Sequence, residues 1–155
     1  MKRVKITFAW LAYKADSALF RESARSVMRT MADDARFDAS FVMLDDAWCM
    51  VDRDVREWFL AQPGTFRVVT SYKRTGMLLG GENFLGQCKA FLEAARLTEL
   101  PDDGVFVKVD CDALHFKADW LAEFAADPVA QVAGVFDYGF GNHFSVYGFT
   151  YALKG

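Results

Sequence analysis

Apolar positions along this chain follow two alternating rhythms. Val4–Ala12 is a nearly continuous apolar run, the pattern of a strand buried on both faces. After Asp16 and Ser17, either of which suits a helix cap, Leu19, Phe20, Ala24, Val27, Met28 and Met31 recur at helical spacing. Residues 39–44 read as a second strand, stopped by Asp45 and Asp46. Asp52 opens a helix with Val55, Trp58 and Phe59 on one side, and Gln62-Pro63-Gly64 is a turn before a third strand over residues 66–71. Residues 72–81 read as a loop, basic at Lys73-Arg74 and glycine-rich at its end. Phe84, Cys88, Phe91, Leu92 and Ala95 then give another helix. A turn over 100–104 leads into the strand Val105–Val109, which ends at Asp110. A short helix around 118–125, a strand over 129–136 and an alternating aromatic stretch over 142–153, either a strand or a hairpin, complete the chain.

Strands and helices alternating through short turns predict one α/β domain over residues 1–155, in three layers with a mostly parallel central sheet and helices on both faces. Ligands of such sheets bind beyond the carboxyl ends of the strands. That rule brings Asp45-Asp46, Lys73-Arg74 and the pair Asp110 and Asp112 toward one crevice.

Asp110-Cys111-Asp112 is the sharpest chemical signal. Side chains two apart on a strand share a face, so the carboxylates aim at nearly the same point and repel unless a cation joins them. Hard oxygen ligands suit Mg²⁺ or Mn²⁺, ions commonly shared with substrate phosphates. The bland reading is a pair of solvated loop acids. Asp45-Asp46 is either a turn capping the helix region at Asp52 or an acceptor for a base N–H or a ribose hydroxyl. Lys73 and Arg74 are solvated loop charges or a clamp on a diphosphate. Asn83 is a helix N-cap or a contact to a ribose or sugar hydroxyl. Cys88 falls on an apolar stripe, Cys111 points away from the acid pair, and His115 and His143 have no spacing that suggests a zinc site.

Composition narrows the field. Hydrophobic residues make up 53% of the 155 and charged residues 25%, which fits a globular domain with a real core. A net charge of −3 argues against a nucleic-acid binder working by counterion release. No apolar run is long enough to span a bilayer. The start imitates a secretory leader, but Lys5 interrupts it and no small-x-small cleavage site follows, so it reads as the first strand. Cys49, Cys88 and Cys111 form no CxxC and cannot all pair, as expected of a reducing cytoplasm. No phosphate-binding GxxxxGK[ST] occurs, no GxGxxG follows the first strand, and no GxSxG elbow is present.

Strand–Asp-Asp, basic loop–Gly-Gly-x-Asn and strand–Asp-x-Asp, in that order, resemble the nucleotide-sugar half of a GT-A-fold glycosyltransferase, with family-2-like enzymes the nearest likeness. Residues 6–13, 41–46, 73–89 and 107–120 carry the resemblance, and Lys108-Val109-Asp110-Cys111-Asp112-Ala113-Leu114 followed by Asp119-Trp120-Leu121 is its most family-like part. It implies a metal-dependent transferase of hexosyl type that takes a UDP- or GDP-linked sugar. Thr7, Ala9 and Tyr13 would wall the base pocket, and Asp45 or Asp46 would bond the base or ribose. Lys73 or Arg74 would lie near the nucleotide, with Asn83 ordering the loop beside it. Asp110 would touch the ribose or sugar, and Asp110 and Asp112 would serve the Mn²⁺ or Mg²⁺ that bridges the phosphates. Asp137, after the fifth strand, is the nominee for the carboxylate base.

Such enzymes continue past the Asp-x-Asp motif into an acceptor-binding half, so the resemblance implies a donor-binding domain truncated at its acceptor side. A second reading is a degenerate GT-A-like module that binds nucleotide or a partner without transferring sugar. A third is a Mg²⁺-dependent phosphotransferase with Asp45, Asp46, Asp110 and Asp112 in one acidic cage. Phe136, Tyr138, Phe140, Phe144, Tyr147 and Phe149, if uncovered, would form an apolar patch and imply a homodimer.

Overall fold

The computed structural model describes residues 2–12, 14–46, 50–71, 104–111, 113–114, 117–139 and 143–154; for Asp46, Ser71 and residues 132–139 and 143–153 it describes the backbone only. Tyr13, Lys73, Arg74, Asn83, Asp112 and His115, with the helix expected around Phe84 to Ala95, lie outside the described residues.

The described elements are β1 (Val4–Ala12), a 3-10 turn (Lys14–Asp16), α1 (Ser17–Ala32), β2 (Phe37–Asp46), α2 (Arg53–Leu60), β3 (Thr65–Ser71), β4 (Val105–Val109), α3 (Asp119–Ala126), β5 (Val132–Gly139) and β6 (His143–Lys154). Their sheet runs β3-β2-β1-β4-β6-β5. The first four of these strands are mutually parallel. β6 lies antiparallel to both β4 and β5, so the last stretch is one arm of a hairpin whose other arm is β5.

β1 is central because it has two buried faces to offer. Ile6, Phe8, Trp10 and Ala12 alternate onto the face covered by Phe20, Ala24, Val27 and Met31 of α1, Val55 and Phe59 of α2, and Leu121 and Phe124 of α3. Ala9 turns the other way and packs with Val42, Leu44 and Phe106. The described helices therefore share one face of the sheet. On that face the aromatic rings interlock: Trp10 meets Phe20 edge-on at 5.8 Å, Phe59 meets Phe66 at 5.0 Å, and Phe41 stacks on Phe66 at 4.7 Å. Among the described residues no helix is long and apolar enough to cross a membrane.

Several expected boundaries move, each for a local reason. Leu19, placed on the apolar stripe of α1, is 52% exposed, because Ser17, Phe20, Ala24, Val27 and Met31 already fill the buried face. Neither Asp16 nor Ser17 makes a side-chain cap bond; the Ser17 hydroxyl donates to Lys14 O at 2.8 Å and accepts the Asp52 N–H at 3.3 Å. β2 does not stop before its two acids but carries them in the ladder, opposite Thr70 and Ser71. β5 starts at Val132, not residue 129, because the Asp127 carboxylate accepts the N–H groups of Val129 (2.8 Å) and Ala130 (3.1 Å) and draws both out of the ladder. Asp137 consequently lies within β5, opposite Ser145, and not beyond the strand.

Candidate functional site

Parallel strands release their carboxyl ends on one edge, and register aligns them here. Ala12 sits opposite Asp45, Asp46 opposite Ser71, and Trp10 opposite Val109. With strands about 4.8 Å apart, the ends of β2 and β4 flank the exit of β1, about 10 Å apart across the sheet. The order of the sheet thus brings the ends that carry Asp45, Asp46 and Asp110 to one edge.

Asp110 is the described acid with access to that edge, its side chain 35% exposed. Its backbone is fixed from two directions. The Asp110 carbonyl accepts the Ala113 N–H at 3.0 Å, closing a tight turn, and the Ser23 hydroxyl of α1 at 3.1 Å. Ser23 is itself fully buried and accepts the Trp10 indole N–H at 2.9 Å. The Cys111 thiol, buried on the helix-covered face as alternation predicts, donates to the Leu11 carbonyl at 3.2 Å. The turn after β4 is therefore tied to both β1 and α1. The Asp110 carboxylate lies on the opposite face, where the ammonium of Lys108 donates to its Oδ1.

Asp45 is wholly buried and committed elsewhere. Its Oδ1 accepts the Val51 N–H at 2.9 Å, and its Oδ2 lies 3.2 Å from Arg56 Nε in an ion pair. These contacts tie the end of β2 to the start of α2, the capping role that sequence offered as one of two readings. Asp46 follows it in the strand. Thr7 and Ala9 sit inside the sheet, below the tip of β1: Thr7 Oγ1 bonds Ser40 Oγ at 2.9 Å, and Ala9 is fully buried.

Sequence reasoning passed over Lys108, Ser23 and Trp10. Ser23 carries no local signal, since its role spans 87 residues. Lys108 did carry one, a lysine at the fourth position of the run Val105–Val109, two residues before an acid. Among the described residues no cluster of three or more His, Cys, Asp and Glu forms a metal site. A hollow of about 500 Å³ lies at the other end of the sheet, between Arg3, Met28, Phe37, Asp38, Gly64 and Phe66.

The architecture is that of known sugar transferases. A galactosyltransferase, LgtC, solved with donor and acceptor sugar analogs, superposes with a TM-score of 0.63 over 97% of this chain at 14% identity. The mannosyltransferase PcManGT from Pyrobaculum calidifontis, in complex with GDP-Man and Mn²⁺, superposes with a TM-score of 0.64 over 99% of the chain at 18% identity. The chain has the GT-A fold of nucleotide-diphospho-sugar transferases. It spans 58% of the length of the first structure and 45% of the second. No protein-family model and no curated protein sequence matches it.

Proposed function

We propose that this chain binds a UDP- or GDP-linked sugar across the carboxyl ends of β1, β2 and β4 as the donor-binding part of a metal-dependent glycosyltransferase. Asp110 carries the reading: a partly exposed carboxylate leaves a central parallel strand on a backbone held by Ser23 and Ala113. The fold around it is shared with two sugar transferases over nearly the whole chain. Carboxylate oxygens are hard donors, so Asp110, with Asp112 two residues on, fits Mn²⁺ or Mg²⁺. The Mn²⁺ and GDP-Man held by the mannosyltransferase neighbour support the same pairing here. When bound, the ion offsets the negative charge of the departing diphosphate.

The chain's own groups orient the donor. Asp110 accepts a hydrogen bond from a ribose or sugar hydroxyl and fixes the sugar's position relative to the diphosphate. Asp46 takes the base or ribose contact, since the Asp45 carboxylate is held by Val51 and Arg56. Thr7 and Ala9 back the base pocket from within β1, and Tyr13 closes it at the tip. Lys73 or Arg74 lies against the nucleotide, with Asn83 ordering that loop. Asp137, on the outer strand of the hairpin, is the nominee for the base that deprotonates an acceptor hydroxyl. The cysteine usage supports a cytoplasmic setting.

Calorimetric titration with UDP and GDP, with and without Mn²⁺, on wild type and Asp112→Ala tests the proposal. Metal-dependent binding that the substitution abolishes is expected. Folded protein that binds neither nucleotide overturns it. Nucleotide binding together with no release of UDP or GDP from the sugar-linked nucleotides in the presence of Mn²⁺ favours the alternative, a nucleotide-binding module without transferase activity.

A further inference from the structure

We propose that Lys108 is a positioning residue of the donor site, holding the Asp110 carboxylate in the orientation the donor requires. The inference rests on the donor-site reading above. Lys108 occupies a place where a lysine is costly. It is the fourth residue of β4, between Val107 and Val109, both fully buried, and the residue itself is only 8% exposed. It sits between Ala9 on β1 and Tyr151 on β6, on the face to which Phe106 also belongs. An ammonium group drawn out of water is tolerated only with a partner.

Asp110 supplies one. Positions two apart on a strand lie on the same face, about 7 Å along the chain, a span the four-carbon lysine stem covers with ease. The ammonium meets Asp110 Oδ1, while the Asp110 backbone is held from the helix-covered side by Ser23. Backbone and side chain of the same residue are thus secured from opposite faces of the sheet. A carboxylate so held cannot swing freely among its rotamers, and the lysine offsets one of the two negative charges of the Asp-x-Asp pair before any cation arrives. Lys108 acts on the donor only through Asp110.

That dependence is what a double-mutant cycle reads. Nucleotide binding in the presence of Mn²⁺ is measured by calorimetry for wild type, Lys108→Met, Lys108→Arg, Asp110→Ala and the double variant Lys108→Met/Asp110→Ala, each checked for folding by circular dichroism. Lys108→Met is expected to weaken binding about tenfold, as loss of a group that orients a metal-site carboxylate does. The charge-conserving Lys108→Arg is expected to recover most of that loss. On the Asp110→Ala background Lys108→Met is expected to have no further effect, because the residue it positions is gone. Lys108→Gln replaces the methionine variant if the latter does not fold. Unchanged binding in a folded Lys108→Met, or losses that simply add in the double variant, overturns the inference while leaving the donor site standing. A wild-type protein that binds neither UDP nor GDP overturns the donor-site reading and this inference with it.

Discussion

The hydroxyl of Ser23 donates to the backbone carbonyl of Asp110 across 87 residues of sequence, at 3.1 Å. Ser23 also accepts the indole N–H of Trp10, so one buried hydroxyl satisfies the polar groups of two strands at once. Ser23→Ala strips the Trp10 indole N–H of its acceptor and leaves the Asp110 carbonyl with the Ala113 N–H, at a cost of about 1–3 kcal/mol. The variant is expected to melt about 2–10 °C lower, which a thermal scan reads. If Ser23 also steadies the turn that presents Asp110, nucleotide binding weakens at temperatures where the variant is fully folded. A melting temperature equal to wild type would refute the buried relay.

Phe59 anchors the aromatic core beneath that relay. It is fully buried, with ring centroids 5.3 Å from Phe20, 5.0 Å from Phe66 and 6.3 Å from Trp10. Phe59→Ala empties a site walled by rigid rings that cannot collapse into it, and should cost about 3–5 kcal/mol. Phe59→Leu, which keeps most of the volume, should cost clearly less. Urea denaturation of both variants measures the difference, and equal losses would show that ring packing does not hold this core.

Two carboxylates give stability a defined acid limb. Asp34 is held below its ordinary value of 3.8 chiefly by the hydrogen-bonded guanidinium of Arg36. Asp127 is held below 3.8 by the N–H groups of Val129 and, next, Ala130. A carboxyl with a folded pKa below its unfolded one stabilises the fold above the unfolded value and loses that contribution as pH falls through the folded one. Stability is therefore expected to be flat with respect to these groups above about pH 5 and to decline below about pH 4. Asp127→Ala should melt below wild type at pH 7, with the gap narrowing at pH 3. A gap that widens on acidification would contradict the assignment.

The strands that could be read from sequence are those whose cause is local. Val4–Ala12 matches its apolar run because a doubly buried strand has no other way to look. What escaped depends on contacts between distant residues or on rival local bonds. Asp45 and Asp46 read as strand stops because an acid in a buried ladder is normally unfavourable; the Val51 N–H and Arg56 that make Asp45 tolerable are visible only once the chain is folded. Val129 and Ala130 look like the start of a strand, but Asp127 captures their N–H groups first. Helical periodicity likewise says that α1, α2 and α3 each bury a stripe, and not that all three bury it on one face of the sheet. Of the candidate site, the position of Asp110 at the end of β4 was legible from the run before it, whereas its supports, Ser23 and Lys108, were not recognised.

Asp45 and Asp46 stand side by side in the sequence, and substitution should separate their roles. Asp45 has no exposure and bonds Val51 and Arg56, so Asp45→Ala strips the join between β2 and α2 of its acceptor. Arg56 stays partly in water, which limits the penalty for losing its partner, and a cost of about 1–3 kcal/mol follows from the orphaned Val51 N–H and the lost ion pair. Asp46→Ala leaves the Asp45 contacts to Val51 and Arg56 in place and should lower the melting temperature less than Asp45→Ala does. Under the proposed function the order reverses for ligand: Asp46→Ala weakens UDP or GDP binding several-fold, and Asp45→Ala, measured well below its melting temperature, weakens it less. Paired thermal and calorimetric measurements on the two variants decide this. If Asp45→Ala proves as stable as wild type but loses the nucleotide, the buried carboxylate must reach the donor after all, and the division of labour between the two acids is the reverse of that argued from the contacts.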